Sequence, residues 1–154
     1  AEPSRDQELT FPFSFRPALK LWRALYFDRD PLQPAPDRSD LWKRGRFIAE
    51  GPGHCAACHT PRNFLGARED ELHLEGADGL PNGGTSPPIQ AEALEEEGWT
   101  QGDLKYALQT GIMPDGDTFG GAMGEVVREG TRFMTDRDLE ALAAYLMDED
   151  EYDD

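Results

Sequence analysis

The stretch His54-Cys55-Ala56-Ala57-Cys58-His59 limits what this chain can fold into more than any other. It contains C-x-x-C-H, which fixes two thiols and an imidazole on one turn of backbone. That spacing is the attachment signature of c-type haem. Each thiol adds to one vinyl group of the porphyrin, and the histidine that follows reaches the iron from the same side. The small Ala56 and Ala57 let the turn lie close to a flat ring. Other uses of two cysteines fit less well. A thioredoxin-like C-x-x-C follows a strand in a βαβ pattern, whereas a helix-like stretch precedes this one. A structural zinc site needs four ligands, and beyond the cysteines only His54, His59 and His73 remain, with no second C-x-x-C or H-x-x-x-H to complete the set. A disulfide would leave His59 unexplained. Cys55 and Cys58 are therefore expected to hold one haem c covalently, with His59 as an axial ligand.

A covalent porphyrin also answers a shortage in composition. The 154 residues suit one domain, or one domain with an appendage. Only 38% of them are hydrophobic, which is low for a packed core; a haem is itself a large apolar core element. The formal net charge is −16. No basic stripe is visible, which argues against nucleic acid; the charge would suit a redox partner protein with a basic docking surface, a solvated surface being its other use. Part of it lies in residues 148–154, expected to be an acidic disordered tail. No apolar run is long enough for a transmembrane segment. No signal peptide is present either, and haem is attached at C-x-x-C-H outside the bacterial cytoplasm. The protein is therefore expected to be periplasmic, with Ala1-Glu2-Pro3 as an N-terminus that a removed leader, or a cut from a longer protein, would leave.

The helix signals are confined to a few places. Residues 1–38 read as an N-terminal extension and linker with one helix. Its opening is polar and Pro-rich, with Phe11 and Phe13 as anchors, and 14–27 is predicted helical, with Ser14 as cap and Pro17 tolerated in the first turn. Phe15, Leu19, Trp22 and Tyr26 form an apolar stripe, expected to dock on the core, with a docking face for a partner domain as the alternative. Pro31, Pro34 and Pro36 mark an extended linker. A second helix is predicted over 40–50, capped by Ser39. Gly45 lies within it, where glycine costs about 1 kcal/mol against alanine; a close helix crossing would explain it. The partner is expected to be a last helix over 135–147, where Thr135-Asp136-Arg137-Asp138 resembles a capping box and Leu139, Leu142, Ala143 and Leu146 follow the helical template. Tyr145 is placed to lie over Gly45. Between them, 61–89 is rich in glycine and proline and reads as a long functional loop. A further helix is predicted over 100–110, with a Thr100–Asp103 cap and Gly111 as its stop. Few alternating β-branched runs appear, so the fold class is all-α.

These residues resemble a family. The chain is similar to a class I c-type cytochrome domain, in which N- and C-terminal helices cross around one covalently bound haem. Arg44-Gly45-Arg46-Phe47-Ile48, Gly51-Pro52-Gly53-His54-Cys55 and Cys58-His59-Thr60-Pro61-Arg62-Asn63 resemble the cytochrome c subunits of periplasmic dehydrogenases, both quinoprotein alcohol dehydrogenases and flavin-dependent sugar-acid dehydrogenases. Gly121-Ala122-Met123-Gly124-Glu125-Val126-Val127 matches the same group. The resemblance covers a cytochrome c domain over residues 39–147. It implies a protein that is an electron carrier and not an enzyme, working between a periplasmic dehydrogenase and a downstream acceptor. The alternative is a haem domain of a larger multi-haem dehydrogenase, or a sulfur-oxidising or peroxidase enzyme with a labile distal ligand.

The second axial ligand has five candidates. Met147 lies near the acidic end and reads as surface or edge. Met134 precedes the Thr135 cap, a hydrophobic-staple position. Met113 sits in a tight Pro-Asp-Gly turn, and His73 lies in the long loop. Met123 is favoured: it reads as part of a Gly-rich loop that allows close approach to a flat ring, and it matches the family's ligand position. His59 is expected to donate its other ring N–H to a backbone carbonyl. The resemblance places that carbonyl at Pro87, with Pro81 as the alternative. Trp99 and Arg62 are candidates for contacting the haem edge or a propionate, with packing or surface roles equally open.

Overall fold

Helices form in the four stretches where apolar stripes and caps predict them, and in others besides. The structure, a computed structural model, describes residues 14–27, 33–80 and 84–152. The expectations for Phe11, Phe13, Pro31 and Pro81 lie outside these residues. The regular elements described are all helical; the only β pairings among them are isolated bridges. No described helix is long and apolar enough to cross a membrane.

The chain divides into two compact units, 1–33 and 34–154. In the first, α1 spans Arg16–Tyr26. Phe15 occupies the N-cap position in place of the expected Ser14, with no side-chain cap. Trp22 meets Tyr26 as a tilted pair at 5.5 Å between centroids, and the Arg23 guanidinium lies over Phe27. Within this unit α1 buries none of its residues.

In the second unit α2 (Asp40–Glu50) crosses α7 (Asp136–Leu146). Ser39 caps α2 through the Trp42 N–H, and Thr135 caps α7 through the Asp138 N–H. The Asp138 carboxylate turns outward to Arg44 at 2.8 Å, so the expected reciprocal half of the capping box is not made. At the crossing Gly45 faces α7. A Cβ there would lie 2.7 Å from Tyr145 Cβ and closer still to the Ala141 carbonyl oxygen. Backbone therefore meets backbone, which is the packing reason that Gly45 called for. Ile48 and Ala49 of α2 join Leu139, Leu142, Ala143 and Leu146 of α7 in the core.

α5 (Gln101–Thr110) packs on the other side of α7. Its capping box is complete: Thr100 accepts from the Asp103 N–H, and Asp103 accepts from the Thr100 N–H. Gly111 ends it at φ +85°. Two short helices were not predicted, α3 (Ala56–His59) and α4 (Ala91–Glu96). The acidic end also differs from its expectation. Through Tyr152 it folds back: Arg38 pairs with Asp148 and Asp150, the Ser39 N–H and Trp42 Nε1–H donate to Asp150 and Asp148, and Gln101 donates to Glu149. Fixed donors at the start of α2 and on α5 receive charges that the sequence pattern assigns to solvent. Met147, expected at the surface, is buried in the same core.

Candidate functional site

The end of α2 determines where the C-x-x-C-H turn begins. Gly51 caps α2, and the Gly53 and Cys55 N–H groups donate back to the Ile48 and Ala49 carbonyls, so the chain reverses beneath the helix. His54 makes that reversal at φ +37°, an uncommon conformation outside glycine. α3 then carries Cys55, Cys58 and His59 on one turn, with the His59 N–H donating to the Cys55 carbonyl at 2.9 Å. Ala56 is the side chain that enters the core, which its small size permits. Both cysteines are free thiols; Cys55 is half-buried and Cys58 exposed. Burial, reinforced by the Glu50 carboxylate and by Cys58, pushes the Cys55 thiol up to about 11. It is thus a neutral thiol at neutral pH.

The His59 ring is held by its Nδ1, which donates to the Pro87 carbonyl at 2.8 Å. Burial lowers the His59 pKa, and the Pro87 hydrogen bond opposes that shift only in part. The imidazole is neutral, and with the proton on Nδ1 the lone pair is on Nε2. The loop that brings Pro87 there is pinned repeatedly to the turn. The Gly76 N–H donates to the His59 carbonyl, the Ser86 hydroxyl donates to the Cys58 carbonyl, and Ala77 and Ser86 exchange backbone hydrogen bonds. Buried Thr60 accepts from the Leu74 N–H at 3.0 Å. Gly76, Ser86 and Thr60 were missed in the sequence. The one available signal was the position of Ser86 directly before Pro87.

Met123 stands in the first turn of a helix, α6 (Gly121–Glu129), and not in a loop. The glycines that read as loop lie at its start: Gly120 is the N-cap, and Gly121 takes φ +52°. Met123 is half-buried against the core, as are Cys55, Ile89, Trp99 and Met134. His73 donates instead to Glu50 at 2.8 Å, where Glu50 also accepts from the Tyr145 hydroxyl at 2.9 Å. Burial alone would raise the Glu50 carboxyl, but His73, Tyr145 and the Arg68 charge together hold it below its ordinary value. Tyr145 in turn is pushed up, by burial first and by Glu50 second. Trp99 gives its indole N–H to Glu97 at 3.3 Å. The Arg62 guanidinium donates to the Gly66 and Ala57 carbonyls, bracing the following loop against α3.

This donor set suits a flat, apolar iron group. Cys55 and Met123 pack against one core, with Cys58 and the neutral His59 imidazole on the same turn as Cys55, whereas the described residues hold no cluster of three His, Cys, Asp or Glu that could bind a metal ion by themselves.

Known proteins give the same direction. No family model matches the chain. It is 40% identical over 139 residues to a diheme cytochrome c-type protein of Cereibacter sphaeroides, covering 90% of this chain and 45% of that one. To the cytochrome c subunit of a quinone-type alcohol dehydrogenase of Gluconacetobacter polyoxogenes it is 35% identical over 155 residues, covering 95% and 32%. To the cytochrome c subunit of a gluconate 2-dehydrogenase of Pantoea cypripedii it is 33% identical over 155 residues, covering 95% and 35%. The chain thus spans less than half the length of these curated relatives.

Proposed function

Because the chain is a c-type cytochrome domain, we propose that it carries one electron at a time on a single haem c, bound through Cys55 and Cys58 and ligated by His59 and Met123. When bound, the haem supplies an iron that changes its charge by one without taking up substrate. The chain's residues do the rest. Cys55 and Cys58 anchor the group from one turn. His59 presents a neutral ring whose orientation the Pro87 carbonyl fixes. Met123 offers a thioether, which favours a higher reduction potential than a second histidine would. Trp99 packs at the core edge, and Arg62 braces the attachment turn. The observation that carries this reading is the His59 ring: its Nδ1–H is committed to Pro87, and it follows directly on two free thiols.

The protein works outside the cytoplasm, between a dehydrogenase and a downstream acceptor. Its relatives are cytochrome subunits of such enzymes, and a charge of −16 suits a partner with a basic docking surface. The length of those relatives favours a second arrangement, in which the donor or acceptor is another haem domain of a larger polypeptide.

Replacing Met123 by alanine in the haem-loaded protein tests the ligand set. The weak far-red ferric band of sulfur ligation should vanish, the potential should fall, and ferrous iron should bind carbon monoxide. If the unaltered protein lacks that band and already binds carbon monoxide rapidly, the distal side is open and the carrier reading fails.

A further inference from the structure

We propose that Gly76 and Ser86 are positioning residues that set the basicity of the His59 imidazole, and with it the reduction potential, by holding the Pro87 carbonyl in place. The inference rests on His59 as the iron ligand and concerns how that ligand is tuned.

The geometry around Pro87 is overdetermined. Proline has no N–H, and Pro88 follows, so neither can tie its own backbone by donating. The loop must be held from its flanks. On one flank Ser86 exchanges both backbone hydrogen bonds with Ala77, at 2.8 and 3.0 Å, and its hydroxyl donates to the Cys58 carbonyl. On the other, the Ile89 N–H donates to the Leu74 carbonyl at 2.9 Å. Between the two tied flanks lies Gly76, buried, with its N–H on the His59 carbonyl at 2.8 Å. A Cβ on Gly76 would lie 2.8 Å from the Ser86 oxygen, 2.9 Å from the Pro88 nitrogen and 3.0 Å from the Pro87 carbonyl carbon. All three are backbone atoms of the segment that delivers the Pro87 oxygen. Its φ of +85° also belongs to the region that favours glycine. Any side chain here pushes the carbonyl away from His59.

The consequence follows from ligand chemistry. A hydrogen bond accepted from Nδ1–H raises the electron density of the ring and its strength as a ligand. A more basic ligand favours the ferric state and lowers the potential. Gly76 and Ser86 touch neither Nδ1 nor Nε2, so their effect passes through Pro87.

The test uses the haem-loaded protein with Gly76→Ala, Ser86→Ala and Ser86→Thr. Covalent haem content, the midpoint potential and the exchange rate of the His59 Nδ1 proton by NMR are measured on each. Gly76→Ala should raise the potential and speed that exchange by about two- to tenfold, the range corresponding to one net hydrogen bond. Ser86→Ala should move both the same way by less, and Ser86→Thr, which keeps the hydroxyl, should restore them. If Gly76→Ala fails to fold, the serine pair decides alone. Normal haem content with an unchanged potential and unchanged exchange in Ser86→Ala, even at lowered stability, overturns the proposal. Failure of the unaltered protein to show His59 ligation would instead remove the reading on which it rests.

Discussion

Where α2 crosses α7, the chain is held by volume: Leu139, Ala141 and Ala143 are fully buried, and Gly45 lets two backbones touch. Beneath His59 the arrangement is the reverse. Of residues 60–80, only Thr60, Ala67, Leu74 and Gly76 are buried, and hydrogen bonds hold the chain at Cys58, His59, Thr60 and Leu74. Close packing restrains a whole helix but places no single atom. The loop adds little apolar burial yet brings one carbonyl to 2.8 Å from one nitrogen. The two regions meet at Glu50, the last residue of α2, which takes Tyr145 from α7 and His73 from the loop.

The largest effect should come from the crossing itself. Gly45→Ala puts a Cβ into the Ala141 carbonyl, so α2 and α7 must move apart. An overpacked core typically costs about 1–3 kcal/mol, and chemical denaturation should show the loss as a single cooperative transition. A loss confined to the loop would break the comparison.

Acid should act next, on the link. The Glu50 carboxyl has a folded-state pKa below its ordinary value near 4.5. Its ionised form therefore contributes stability above that pH, and the contribution is lost as the pH falls through the lower, folded-state value. In that window, amides of the loop around His73 should lose hydrogen-exchange protection before those of α7. Simultaneous loss would mean that Glu50 does not couple the regions separately. Glu50→Gln should remove the pH dependence.

The smallest effect belongs to Arg62→Ala. It removes two exposed hydrogen bonds to Gly66 and Ala57, and surface changes of this kind stay within about 0.5 kcal/mol. Exchange at Gly66 and Ala67 should quicken while the unfolding midpoint stays put. A large shift of the midpoint would make the loop part of the packed region.

The same contrast explains what could be read beforehand. Gly45 interrupts an apolar stripe, Tyr145 supplies the bulk opposite it, and Ser39, Thr100 and Thr135 carry their capping chemistry locally, so α2, α5 and α7 were legible within a residue or so. C-x-x-C-H was legible because its spacing is its chemistry. Met123 was expected in a loop because Gly120 and Gly121 are loop signals; both lie at the α6 N-terminus, where glycine is tolerated. The fold-back of Asp148 and Asp150 depends on Arg38 and Ser39, over a hundred residues away, and a run of acids gives no hint of such partners. Likewise Gly76 looked like any other loop glycine until Ser86 and Pro88 were seen against it.

The clasp between Arg38 and the residues at 148 and 150 also brings the first and last turns of the second unit to the same point. A unit whose strings leave from one knot is a bead. Beads can be threaded in series by a short connector without disturbing their interiors, and they can be cut open elsewhere and rejoined at the knot as circular permutants. That topology lets copies of such a unit be joined in tandem with each interior left intact.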